Sequence, residues 1–169
     1  MKTIKKWPNK VLLTSALPVK EVTEEIKGIL NEMAVVMLEN NGVGLAAPQI
    51  GLNYRLITVM GEDTILSIAN PEIEILGPET QESFEGCLSL PGANVKVVRP
   101  LAVSVTGLTV EGRLERHVVT GRDAAIICHE VDHLDGKTLL QTVDFMTKNK
   151  ILKQMKNYER SQKKIKRHF

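Results

Sequence analysis

Cys128-His129-Glu130-Val131-Asp132-His133-Leu134 places three residues with metal and proton chemistry at a helical spacing. His129 and His133 are i and i+4, so on a helix their imidazoles stack on one face and point at one shared position. Glu130 sits beside the first of them, in reach of a water that an ion would activate. This is the pattern of metal-assisted hydrolysis, short of a third ligand.

The flanks decide what kind of element carries the pattern. Thr120-Gly121-Arg122-Asp123 offers a Thr at the N-cap and an acid three residues on, and Gly136 is a stop, so a helix is expected from Thr120 to about Asp135. Ala124, Ala125, Ile126, Ile127, Cys128, Val131 and Leu134 make it apolar nearly all round, which predicts burial inside the domain. Two histidines and two carboxylates in such a helix cost several kcal/mol unless paired or bound to an ion.

Working outward, a second helix is expected from about Thr23 to Asn40-Asn41-Gly42, with Ile26, Ile29, Leu30, Met33, Val36 and Met37 on its core face. Tyr54-Met60, Thr64-Ile68, Glu72-Leu76, Val95-Val98, Leu101-Gly107 and Leu114-Val119 read as strands, the last two as a hairpin about Glu111-Gly112. Many strands separated by turn signals, with few helices, predict an α+β fold. Mostly antiparallel sheets would pack around the buried central helix, with an N-terminal helix on one side and a C-terminal surface helix. At 169 residues and 43% hydrophobic composition, one domain spanning 1–169 is expected. Residues 1–19, interrupted by Pro8 and Pro18, form an irregular arm with Val11, Leu12, Leu13 and Leu17 available to pack on the body.

The net charge of +2 conceals a split. From Lys148 to Phe169 nine Lys/Arg face one acid, Glu159; the remaining 13 basic and 19 acidic residues leave the body near −6 and the tail near +8. Residues 147–169 therefore read as a basic amphipathic helix and tail, open to a ribosome or nucleic-acid surface, although no interleaved aromatics offer base stacking. Two cysteines make no disulfide framework and fit a reducing compartment. The run Val11-Leu17 is a poor secretion signal, and no stretch approaches a membrane span.

For the third ligand, Asp144, Glu159 and His168 lie downstream, as a zinc peptidase would require, but one is close in sequence and the others sit in the charged tail. Upstream, Cys87 lies in Phe84-Glu-Gly-Cys-Leu-Ser-Leu-Pro-Gly92, a glycine-bounded setting that suits a soft thiolate donor. Two imidazoles and one thiolate leave one coordination position for water. Gly42-Val-Gly-Leu-Ala-Ala-Pro-Gln49 allows close backbone approach and, with Pro48, reads as an edge or loop.

In order and spacing, Gly42–Gln49, Glu85-Gly-Cys-Leu-Ser89 and His129-Glu-Val-Asp-His133-Leu134 resemble the three motifs of the peptide deformylase family. The resemblance runs from the arm to Val143. It implies that Cys87, His129 and His133 hold one ferrous ion, replaceable by zinc, nickel or cobalt. It also implies removal of the N-formyl group from the initiator methionine of nascent peptides. A cytoplasmic monomer is expected, since two cysteines fit a reducing compartment and no heptad or seam asks for a dimer. Glu130 would move the water proton to the departing amine, and the Gln49 amide and Leu88 N–H would donate to the oxyanion. Val43 and Gly44 would pair with the extended peptide, and Val43, Ala125, Ile126 and His129 would receive the methionine side chain. Asp132 would stand behind the ligands, pairing Arg99. Two departures from the family pattern stand out: Cys128 replaces a usual Gln, and the arm reads Asn9-Lys-Val-Leu-Leu13. The alternatives are a His-Glu-x-x-His zinc peptidase and a catalytically silent member that binds chain ends or ribosomes.

Overall fold

The computed structural model of the chain describes residues 2–61 and 64–165; the end of the basic tail, His168 included, lies outside the described residues. Its first long element is α1 (Glu24–Glu39). Thr23 caps it through its hydroxyl, which accepts from Ile26 N–H at 3.3 Å, and Glu24 and Glu25 complement the helix dipole in the first turn. All six apolar residues expected on the core face are buried. Full burial of side chains such as Leu30, Met33 and Met37 is worth about 1.5–3 kcal/mol each before the entropy of ordering them.

The strands are β1 (Gly44–Ala46), β2 (Leu56–Met60), β3 (Ile65–Ile75), β4 (Thr80–Cys87), β5 (Leu90–Pro100), β6 (Ala102–Leu108) and β7 (Leu114–Thr120). They form an antiparallel sheet in the order β1-β2-β3-β6-β7 and a separate β4–β5 ribbon. The period of two divides the sheet's side chains: Leu45, Leu56 and Ala69 join α1 in one core, while Ala46, Ile57, Val59 and Ile68 join Ile127 and Leu134 on the other face. Those last two belong to α2 (Gly121–Leu134), which thus lies between the sheet and the ribbon. The ribbon's inner residues Leu90, Val95 and Val97 close a third core with α3 (Leu139–Thr142) and with Ile151 and Met155 of α4 (Phe145–Ile165). The fold is α+β with antiparallel sheets about a central helix, as the strand pattern predicts.

Four local expectations change. The segments 64–68 and 72–76 are one strand, β3, broken in register between Ala69 and Glu72, where Asn70 adopts a φ of 53°. Asn70 is tolerated there because its amide clasps the arm, accepting from Val19 N–H at 2.9 Å and donating to Val19 C=O at 2.8 Å. Of the arm's apolar residues Leu12 is fully buried in a single 3-10 turn, Lys10–Leu13, whereas Leu13 and Leu17 are exposed. Thr120 precedes α2 in extended conformation without a side-chain capping bond. Finally, α4 begins at Phe145, before the expected Thr147, because the Asp144 carboxylate accepts from the Thr147 N–H at 2.9 Å.

Candidate active site

One face of α2 carries the chemistry. His129 and His133 stand one turn apart, with ring centroids 5.0 Å apart, 8% and 1% exposed respectively. The ribbon brings Cys87 to them: its register slips between Glu85 and Cys87, a bulge of the kind that re-aims a side chain, and both residues turn toward α2. Cys87 Sγ lies 3.2 Å from His133 Nε2. One ligand atom from each of Cys87, His129 and His133 falls within 4.8 Å of the others, and among the described residues no other group of three such side chains converges.

Electrostatics prepares this cluster for a cation. Burial pushes the Cys87 thiol up, yet His133 and His129 outweigh it and hold the group well below the ordinary thiol range, as a thiolate. Burial likewise opposes a charged His129, but Cys87 and Glu85 raise it well above the usual imidazole value. A divalent ion would take over that attraction to the thiolate. A thiolate and two imidazoles converging on one point, with Nε2 of His133 turned to the sulfur, are a donor set that fits a metal.

Sequence reasoning gave Glu85 no part, although it stands two residues before Cys87 in a motif already singled out. Its Oε2 faces His129 Nδ1 at 2.9 Å and fixes that ring, leaving Nε2 for the cluster. Arg99 grips the same carboxylate through Nε at 2.8 Å and Nη2 at 2.9 Å, and reaches Asp132 Oδ2 at 2.6 Å. Asp132 thus pairs Arg99 as expected. Burial resists charge on Glu85 and Arg99, but each outweighs it for the other: the carboxyl is lowered and the guanidinium raised. Replacing Arg99 by Ala leaves Glu85 buried without its guanidinium partner and should cost about 3–5 kcal/mol of stability, read from denaturant unfolding. A loss below about 1 kcal/mol would mean the pair is effectively solvated.

A groove of about 530 Å³ opens on this centre. Val43, Gly44, Gln49, Cys87, Leu88, Ala125, Ile126, His129 and Glu130 line it, and His133 lies behind. Gln49 sits in a 3-10 turn, Ala47–Ile50; Ala46 N–H donates to its Oε1 at 2.8 Å, so its NH₂ must face Ser89 Oγ at 3.4 Å and Cys87 Sγ at 3.7 Å. Glu130 is 4% exposed, and desolvation, partly offset by the two histidines, raises it to about 7. Gly44 backs against it: a Cβ there would overlap the Glu130 carboxylate. Among the described residues strand β1 pairs only with β2, which leaves its other edge open to a further strand. The downstream acids do not come to the cluster: Asp144 caps α4 and Glu159 is exposed on it. A zinc peptidase is accordingly not favoured.

Fold and site together define a metal-dependent α+β hydrolase. A sequence model of the family described as polypeptide deformylase matches residues 1–149. The peptide deformylase of Fusobacterium nucleatum is 37% identical over 166 residues, covering 96% of this chain and 95% of that one. That of Acetivibrio thermocellus is 42% identical over 130 residues, 76% and 75% of the two chains. Among solved structures, a peptide deformylase from Legionella pneumophila superposes with a TM-score of 0.89 at 32% identity, over 96% of this chain and 97% of that one. One from Synechococcus elongatus, in complex with actinonin, gives 0.85 at 34%, over 90% and 84%. The chain belongs to the polypeptide deformylase family.

Proposed function

We propose that the protein hydrolyses the N-formyl group from the N-terminal formyl-methionine of nascent polypeptides, releasing formate. The supporting observation is the convergence of a thiolate, two imidazoles, a buried carboxylate and an oriented side-chain amide on one groove beside a free strand edge. Cys87, His129 and His133 would hold the ion, which we take to be ferrous iron, with zinc, nickel or cobalt able to replace it. Bound there, it supplies Lewis-acid chemistry, lowering the pKa of water and polarising the formyl oxygen.

The chain's own residues do the rest. Glu130, held near neutrality by burial, accepts a proton from the attacking water and returns it to the departing amine. The Gln49 amide and the Leu88 N–H donate to the oxygen that becomes negative, a contribution of about 3–4 kcal/mol per donor in comparable sites. Gly44 on the open edge of β1, with Val43 just before it, pairs with the extended peptide, and Val43, Ala125, Ile126 and His129 enclose the methionine side chain. An anaerobically prepared, iron-loaded sample should release formate from a formyl-Met peptide; a metal-bound sample that releases none would refute the assignment.

Gly44 links binding to proton transfer. Gly44→Ala should lower kcat/KM by about 100-fold with metal content unchanged, because the added methyl must displace Glu130 by about an ångström. Formate release and metal analysis on the same sample check this.

We place the reaction in the cytoplasm on a monomeric enzyme, with the basic face of α4 touching the ribosome. No described helix is long and apolar enough to cross a membrane. Salt-sensitive co-sedimentation with ribosomes checks the contact, and its absence at low salt removes it.

A further inference from the structure

Three consecutive residues of the N-terminal arm hold the two segments that carry the proposed oxyanion donors. Lys5 N–H donates to Gln49 C=O at 2.7 Å, and Trp7 N–H donates to Ser89 C=O at 3.0 Å. Between them, the Lys6 side chain enters the groove and its Nζ donates to Leu88 C=O at 2.8 Å. Lys5 and Trp7 act through backbone, which any residue except proline at those positions would supply. Lys6 reaches the Leu88 segment through its side chain, while its own carbonyl accepts from Asn9 N–H within the arm.

Lys6 forms no ion pair with a carboxylate among the described residues. The acids lining the same groove are committed elsewhere, Glu85 to Arg99 and His129, and Glu130 to the buried floor. Partial burial lowers the ammonium's pKa, and the nearby Cys87 thiolate acts against that. The ammonium of this exposed side chain thus sits on the Leu88 carbonyl, one residue from Cys87, on the side of the groove to which the proposed activity assigns the formyl oxygen.

We propose that Lys6 is a positioning residue of deformylation: it locks the Cys87–Ser89 segment so that the Leu88 N–H faces the oxyanion, and its positive charge favours that oxyanion and the formate product. This rests on the proposed activity and on Leu88 as a donor. A general base cannot be replaced by such a cation, so Lys6 adds to Glu130 and Gln49 without duplicating either.

Lys6→Met keeps most of the side-chain length and removes the charge, Lys6→Arg restores the charge, and iron-loaded samples of both are compared with the unaltered protein. For Lys6→Met we expect kcat toward a formyl-Met peptide to fall about three- to tenfold with KM within about twofold. Formate binding, measured by titration calorimetry, should weaken by a similar factor, and Lys6→Arg should recover both. Unchanged kcat and formate affinity in Lys6→Met would overturn the proposal, as would Lys6→Arg being as impaired as Lys6→Met. Loss of metal or of thermal stability in Lys6→Met matching the loss of rate would overturn it too, because the arm would then be only a strap. If the unaltered protein itself releases no formate, it is the assigned activity that fails.

Discussion

Glu130→Ala is expected to retain its metal and lose about 10²–10⁴-fold in kcat, the usual worth of a positioned general base. Its neighbour His129 is offset from it by about 100° around the helix, so Glu130 cannot share the ligand face. The carboxylate rests against Gly44 with one oxygen unpartnered, poised beside the cluster but outside it. Stability gives an independent readout. A buried carboxylate without a hydrogen-bond partner is a cost to the fold, so Glu130→Gln, which fills the same space, should melt at or above the unaltered protein. Metal content, melting temperature and formate release on the same samples decide the matter. Loss of the metal in Glu130→Gln would mean that the carboxylate holds the ion, and its assignment as base would be wrong.

How much of this could be read from the chain varied with the kind of signal. Helix α1 announces itself by the helical spacing of Ile26 through Met37, and α2 by the His129–His133 spacing, its all-round apolar run and the Gly136 stop. Strand β4 escaped because Thr80-Gln-Glu-Ser-Phe-Glu offers no apolar alternation: its Phe84 is 74% exposed, and its register comes from pairing with β5. The Ala69–Glu72 break hid the continuity of β3, because Asn70-Pro71 reads as a turn and only the tertiary clasp on Val19 keeps the strand going. At the site, the residues that touch the cluster lie in short motifs with chemistry of their own. Those that support it are less legible: Glu85 stands in the second motif without a chemistry of its own there, Arg99 enters only as the expected partner of Asp132, and Lys6 not at all, because their roles come from contacts at sequence separations of 44, 33 and 82 residues.

Cys87→Ser should abolish metal retention and, with it, formate release. The two cysteines of the chain differ in kind. Cys87 is held as a thiolate by two imidazoles, whereas burial, with Asp132 and Glu85 adding to it against Arg99, pushes the Cys128 thiol up to about 11. Serine at position 87 stays a neutral alcohol at any working pH, leaving two imidazoles and no anion to bind a divalent ion. Outer partners of metal ligands are worth about 10–100-fold in affinity, so loss of the ligand itself should cost at least about 100-fold. An ion bound at a hundredfold excess over its Kd stabilises the folded state by about 2.7 kcal/mol, so the variant should also lose the melting shift that metal confers on the unaltered protein. Chelator treatment of the unaltered protein should reproduce both losses. Cys128→Ser is the control: its side chain points away from the ligand face, and both metal content and turnover should stay within about twofold. Metal retained in Cys87→Ser, with Cys128→Ser losing it, would transfer the ligand role to the wrong sulfur. Metal retained in both would point to an oxygen ligand of the peptidase type and remove the deformylase geometry altogether.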